Sequence, residues 1–296
     1  MTGFPRRGRR LAATPGAGAL LLAAPRRGWL ARLGWLERTA IGLLLLVTVV
    51  AILAPLLAPH DPVATSTTPF LPPGSPGAPL GSDELGRDVL SRVIHGVRAS
   101  WLATLLVVSV SVVIGGTIGV VAGMRGGWVD NLLMRITEIG LALPGPMLAI
   151  AVIVALGPSL RNTLLAVIAV WWPWYARLVR GEARALVVRP HVEAARVAGV
   201  GGVRLALRHV VPGVLPAVLV TASVDLGALV LALAGLSFIG LGAPPPAPEL
   251  GAMASQGLSY LFGQAWICLA PAVALFVLAF SANVAGDGLR DLLEDV

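Results

Sequence analysis

Apolar and polar positions alternate along this chain in long blocks: stretches of 15 or more mostly apolar residues separated by short charged or Pro/Gly-rich segments. A bilayer core about 30 Å thick needs about 20 such residues in a helix. The first stretch runs from Ala40 to Ala58 and ends among the helix breakers Pro55 and Pro59, and the second, Trp101 to Ala122, carries no charge. The third, Ile139 to Leu156, contains Pro144 and Pro146, which a membrane helix tolerates where neighbours satisfy the freed carbonyls. The fourth, Asn162 to Ala176, is short and holds Trp171, Trp172 and Trp174, residues suited to an aromatic belt. The fifth, Val214 to Leu241, has one charge, Asp225, and the sixth runs from about Tyr260 to Gly286. The pattern predicts an all-α polytopic membrane protein with six transmembrane helices.

Composition agrees: 56% of the 296 residues are hydrophobic and only 12% charged, with a mean hydropathy of +0.85, against about 25% charged in an ordinary soluble domain. The 22 basic residues are all arginine. The absence of lysine excludes a P-loop phosphate lysine and Schiff-base chemistry, so the chain binds no ATP through a Walker A motif of its own. A single cysteine, Cys268, excludes a disulfide framework and a cysteine metal cluster. With the N-terminus inside, six spans place 18 arginines on the cytoplasmic side and only Arg87, Arg92, Arg98 and Arg161 outside, which predicts both termini cytoplasmic. The chain then divides into an Arg-rich tail (1–38), a first transmembrane helix (39–59), an external loop (60–98), a five-helix core (99–287) and a C-terminal tail (288–296). Arg6, Arg7, Arg9 and Arg10 precede an apolar stretch, Leu20 to Ala24, too short for a secretion signal and followed by Arg26 and Arg27.

The longest cytoplasmic loop, 181–212, is neither apolar enough to span nor polar enough for disorder. Helical character over Val187–Val197 is broken by Gly199, Gly201 and Gly202 and resumes from Val203 to Val210, predicting two short helices around a glycine turn. Glu193-Ala194-Ala195, then Gly199, then Val211-Pro212 resembles the EAA loop of ABC-importer permeases, with His209 and Val211 where that family usually has isoleucine and leucine. The resemblance implies that Glu193, Ala194, Ala195, Gly199 and Pro212 belong to coupling helices seated in a groove of a separate ATPase subunit. Small alanines suit such a groove, and a glutamate at its edge suits a charge-assisted contact.

Other segments narrow the likeness. Leu80-Gly-Ser-Asp-Glu-Leu-Gly-Arg-Asp-Val-Leu-Ser-Arg92, Leu236-Ser-Phe-Ile-Gly-Leu-Gly242 with Pro244–Pro246, Gly251-Ala-Met253 and Gly286-Asp-Gly-Leu-Arg-Asp291 are similar to signatures of the C-type permeases of dipeptide, oligopeptide and nickel importers. Leu233 and Leu250 replace that group's usual glutamate and tryptophan. The resemblance implies a type I ABC importer permease fold in the bacterial plasma (inner) membrane. It implies a B-type permease partner, two ATPase subunits or a fused one holding ATP and Mg²⁺, and an extracytoplasmic binding protein. Short peptides are the implied cargo, with nickel, haem or another small solute as alternatives. This chain is expected to bind no cofactor or metal, to catalyse nothing and to contact no nucleic acid.

Ser82 is suited to cap an external helix with Asp83 and Glu84 in its first turn and Leu85, Val89, Val93 and Val97 along one face, lying on the outer membrane surface. Asp83, Glu84, Arg87 and Asp88 are candidates for docking the binding protein, or for an intramolecular brace. Asp225 is a candidate for the translocation path or for setting helix register; Ser237 and Phe238 are candidates for an external gate. Arg135 and Glu138 read as an interfacial pair. An intramembrane protease is disfavoured because His60, His95, His191 and His209 all fall in loops. An ion-coupled secondary transporter would show repeats and several buried polar groups, where this chain has one aspartate.

Overall fold

The computed structural model describes residues 34–294; the arginines of the tail before Gly34 lie outside them. Among the described residues the chain is helical, with two isolated bridges, Ser75–Ala78 and Ser82–Asp88, in place of strands. The helices are α1 (Trp35–Leu57), α2 (Val89–Arg125), α3 (Gly127–Ala142), α4 (Gly145–Leu156), α5 (Leu160–Val187), α6 (Pro190–Val197), α7 (Gly202–Leu205), α8 (Val211–Phe238), α9 (Leu250–Gly257) and α10 (Trp266–Glu294). Four stretches are long and apolar enough to cross a membrane: α1, α2, Gly202–Phe238 and Trp266–Asp291; α3 and α4 make a fifth if their bent pair is one span. The expected six therefore meets four or five. The fourth expected span falls in α5, whose second half carries Arg177, Arg180, Glu182 and Arg184.

Helix α1 buries little but Ala40, Ala51 and Ala54, leaving Leu45, Leu46, Val49 and Ile52 exposed as a lipid-facing helix does. Its attachment to α2 includes a hydrogen bond of 3.1 Å from the Trp101 indole to the Thr48 hydroxyl. The axis of the molecule is α2, 37 residues long, or about 55 Å at 1.5 Å per residue. Asp88 caps its start, accepting from the backbone of Leu90 and Ser91 at 3.3 and 3.0 Å. Against α2 lies α5, at a separation that only small residues allow: a Cβ at Gly115 would fall 2.4 Å from the Trp172 carbonyl, and one at Gly119 2.7 Å from the Ala176 carbonyl.

The third predicted span is broken. Leu143, preceding Pro144, adopts φ −102° and ψ 146°, and the axes of α3 and α4 differ by 88°. A residue before proline is pushed from helical to extended backbone, and Pro146 then starts α4 in its first turn, where the missing N–H costs nothing. The predicted 181–212 loop also begins later than expected, because α5 continues to Val187. At its far end α7, a π-helical turn over Ala206–Val210 and α8 form one continuous rod. That wide turn precedes Pro212, whose ring would clash with the carbonyl four residues back in a regular helix.

The core has three parts. Val93, Trp101, Val230, Leu250 and Leu278 join α2, α8, α9 and α10; Val107, Ile153, Val167 and Leu229 join α2, α4, α5 and α8; Val179, Leu186, Val210 and Val214 join α5 to the start of α8.

Candidate functional site

Helix α6 is anchored by one residue and otherwise open. Val192 is fully buried, while Glu193, Ala194 and Arg196 are exposed and Ala195 is half-buried. Gly199 follows at φ 84°, a left-handed backbone that favours glycine, and nothing lies within 4 Å of where its Cβ would be. Val197, Val203 and Leu207 stand 85%, 74% and 63% exposed beside it. Pro212 is exposed at the start of α8. The five residues of the EAA-like pattern thus lie, exposed or half-buried, on the stretch from α6 to the first turn of α8.

Beneath that segment is a clamp that sequence reading did not single out. Asp130, 1% exposed near the start of α3, accepts from Arg180 Nε and Nη2 at 2.5 and 2.7 Å, and Arg184 Nη2 lies 2.9 Å from its second oxygen. A bidentate guanidinium–carboxylate pair fixes direction as well as distance. The signal available was the Arg180/Arg184 spacing of four, one helical turn, with an acid just after Gly126-Gly127. Arg135 and Glu138 form the expected surface pair, at 3.6 Å and exposed.

At the opposite end, the predicted amphipathic helix starting at Ser82 is absent. Residues 82–88 form a compact non-helical knot, and the helix begins only at Val89. Ser82 is buried, its hydroxyl accepting from Leu71 N at 2.8 Å and donating to the Thr68 carbonyl at 2.6 Å. Asp83 accepts from the backbone of Leu85 and Arg87, both at 2.9 Å, and from Arg87 Nε at 2.6 Å. Arg92 lies 3.5 Å from Asp83 and donates to the Pro62 carbonyl at 2.9 Å. Asp88 accepts from the Ser91 hydroxyl at 2.5 Å. Competing local hydrogen bonds from serine and aspartate defeat the helical pattern here. Asp83, Arg87 and Asp88 are therefore buried in a brace, and of the four docking candidates only Glu84 is partly exposed. Leu85, expected to share one helix face with Val89, Val93 and Val97, lies outside the helix and is 52% exposed.

Asp225, in the middle of α8, is half-buried and accepts a hydrogen bond of 2.7 Å from the Tyr175 hydroxyl on α5. It lines two cavities. One, of about 560 Å³, lies among α4, α5 and α8 and is walled by Pro146, Ile150, Trp171, Trp174 and Leu231. The other, of about 520 Å³, has Thr221, Val224 and Arg290 on its walls, and Trp174 and Asp225 belong to both. Two of the three tryptophans expected in an aromatic belt, Trp171 and Trp174, thus line cavities. Ser237 lies elsewhere: it is buried and donates to Glu249, which also accepts from Ala243 N at 2.9 Å. Phe238 ends α8, 41% exposed. Among the described residues no three His, Cys, Asp or Glu side chains gather as a metal site would require.

Comparison with known proteins adds to this geometry. Residues 115–295 match the family described as binding-protein-dependent transport system inner membrane component. The chain is 41% identical to a probable D,D-dipeptide transport system permease of Escherichia coli K12, covering 90% of this chain and 89% of that one. It is 38% identical to the dipeptide transport system permease of Haemophilus influenzae, over 85% and 87% of the two chains. With a glutathione transport system permease of Pectobacterium atrosepticum it shares 40% over 73% and 71%. Among solved structures, the inward-facing MetNI methionine ABC transporter aligns at a TM-score of 0.52 and 23% identity, over 69% of this chain and 97% of that chain. An amino acid ABC transporter with histidines aligns at 0.53 and 16%, over 68% and 94%. At those identities the structures speak to the fold alone.

Proposed function

Since the chain belongs to the binding-protein-dependent transport system inner membrane components, we propose that it is the C-type permease subunit of an ATP-driven importer of short peptides. The observation that carries this reading is 41% identity to a dipeptide-system permease along 90% of the chain. The protein is a multi-pass component of the bacterial inner membrane and a transport subunit rather than an enzyme. In this reading it pairs with a B-type permease, receives cargo from an extracytoplasmic binding protein, and draws on two ATPase subunits, or a fused one, that hold ATP and Mg²⁺. The first half of α5 and the bent α3–α4 pair complete six crossings, with both termini cytoplasmic.

Glu193, Ala194, Ala195, Gly199 and Pro212 form the coupling segment. Its exposed Val197, Val203 and Leu207 are the kind of apolar surface that a partner groove covers. Movement imposed there passes into α8, because Gly202–Phe238 is one continuous helical stretch through the π-turn, and α8 carries Asp225 in its middle. Closure of the ATPases then tilts α8 and switches the cavity beside Asp225 from one side of the membrane to the other, a two-state change selected by nucleotide. On the far face, Glu84 is the docking candidate that remains available to the binding protein.

The test is uptake by the complete complex in proteoliposomes, offered labelled Ala-Ala, tri-alanine, Ni²⁺ and haem. Peptide uptake is expected to require ATP and to survive an ionophore. Uptake that ignores ATP and collapses with the ion gradient overturns the importer reading, and ATP-driven uptake of Ni²⁺ or haem alone replaces the cargo.

A further inference from the structure

We infer that Asp225, held by Tyr175 at the wall of the α4–α5–α8 cavity, is a receptor for the primary ammonium group of the transported peptide. This deepens the peptide-importer reading and rests on it.

A carboxylate in the membrane interior is costly unless compensated. Tyr175 Oη donates to Asp225 at 2.7 Å and the Trp171 side chain also interacts with it, while a carboxylate has about four lone-pair sites. The Tyr175 side chain is fully buried, so the phenol cannot turn away, and it holds Asp225 at the cavity wall. The surroundings there are apolar and aromatic: Trp171, Trp174, Ile150 and Leu231 share the wall. A primary ammonium brings a full opposite charge and three donors, and tryptophan faces attract cations. An uncharged solute has no means of answering the aspartate. The cavity, at about 560 Å³, falls within the range of about 300–1,000 Å³ for sites that take small molecules. Thr221 and Arg290 line the adjoining cavity that shares Asp225. A purely structural Asp–Tyr pair linking α5 to α8 is the rival, and it predicts no dependence on a solute's amine.

The experiment uses the whole transporter without its binding protein, so that selection by that protein does not intrude. Ala232, on the cavity wall, is replaced by cysteine as a reporter, and its alkylation is followed by the mass of this chain. Ala-Ala is expected to slow the alkylation, and N-acetyl-Ala-Ala at the same concentration is expected not to. Asp225→Asn should raise the half-protecting concentration of Ala-Ala roughly tenfold or more, as loss of a charge-assisted contact requires. Equal protection by both solutes overturns the inference, as does unchanged protection in Asp225→Asn. No protection by either, while the complex imports Ala-Ala with ATP, overturns it too. These outcomes leave the importer standing, whereas failure of the complex to import any peptide removes the peptide reading itself. The comparison of the two solutes needs no change at Asp225, so a variant that fails to fold leaves the test intact.

Discussion

Gly199 carries the sharpest prediction at the scale of single residues. Its φ of 84° with open space around it separates backbone strain from steric clash: valine there has room but no comfortable conformation. Left-handed backbone costs a non-glycine residue about 1–2 kcal/mol, and about 1.4 kcal/mol is a factor of 10. Gly199→Val should lower ATP-driven uptake roughly tenfold with normal membrane insertion, while Gly199→Asn, which tolerates that region, should retain most of it. Vesicle uptake beside an immunoblot of the membrane fraction checks both. The residue pattern pointed to this glycine directly. It was silent on the Asp130 clamp, since the spacing of Arg180 and Arg184 marks one helix face without naming a partner 50 positions before Arg180. It also misjudged Ser82, because a serine before two acids reads equally as a helix cap or as the centre of a turn, and only the Leu71 and Thr68 backbone settles which.

At the scale of elements, the approach of α2 to α5 is the feature most exposed to test. Gly115 is buried against the Trp172 carbonyl, whereas its neighbour Gly116 meets nothing within 4 Å. Gly115→Val should destabilise the purified chain by about 1–3 kcal/mol or more through overpacking. Gly116→Ala should leave it unchanged or slightly firmer, since alanine is the better helix former; thermal melts in detergent compare them. For α6, an Ala195→Cys variant should crosslink to an ATPase subunit in the assembled complex, and capture of lipid or of this chain alone counts against coupling there. Apolar runs revealed α1, α2, α8 and α10 almost to their middles. They hid the break at Leu143, because a run of apolar residues with two prolines looks alike whether the helix kinks or turns by 88°. They also hid the extension of α5 to Val187, where arginines end the apolar run without ending the helix.

For the whole molecule, the arginine distribution leads to a prediction about sidedness. Thr65, exposed in the segment before α2, and Ala194, exposed on α6, should lie on opposite sides of the membrane. Thr65→Cys should react with an impermeant maleimide in intact spheroplasts, and Ala194→Cys only after permeabilisation; the reverse order inverts the topology. Overall class was legible because a bilayer imposes run lengths that any sequence must obey. The cavities were not, because their walls come from α4, α5, α8 and α10, which the chain assembles only in three dimensions.

The dimensions of α2 have one more consequence. One end is tied through Arg92 to Asp83 in the knot of residues 82–88, the other is pressed against α5, and nothing between them interrupts 37 helical residues. A stiff spar about 55 Å long, rocked by only about 5°, swings its tip by about 5 Å, close to the 5.4 Å rise of a helical turn. A rotation imposed on one end of α2 is therefore a displacement at the other, with no need for a relay of side chains in between.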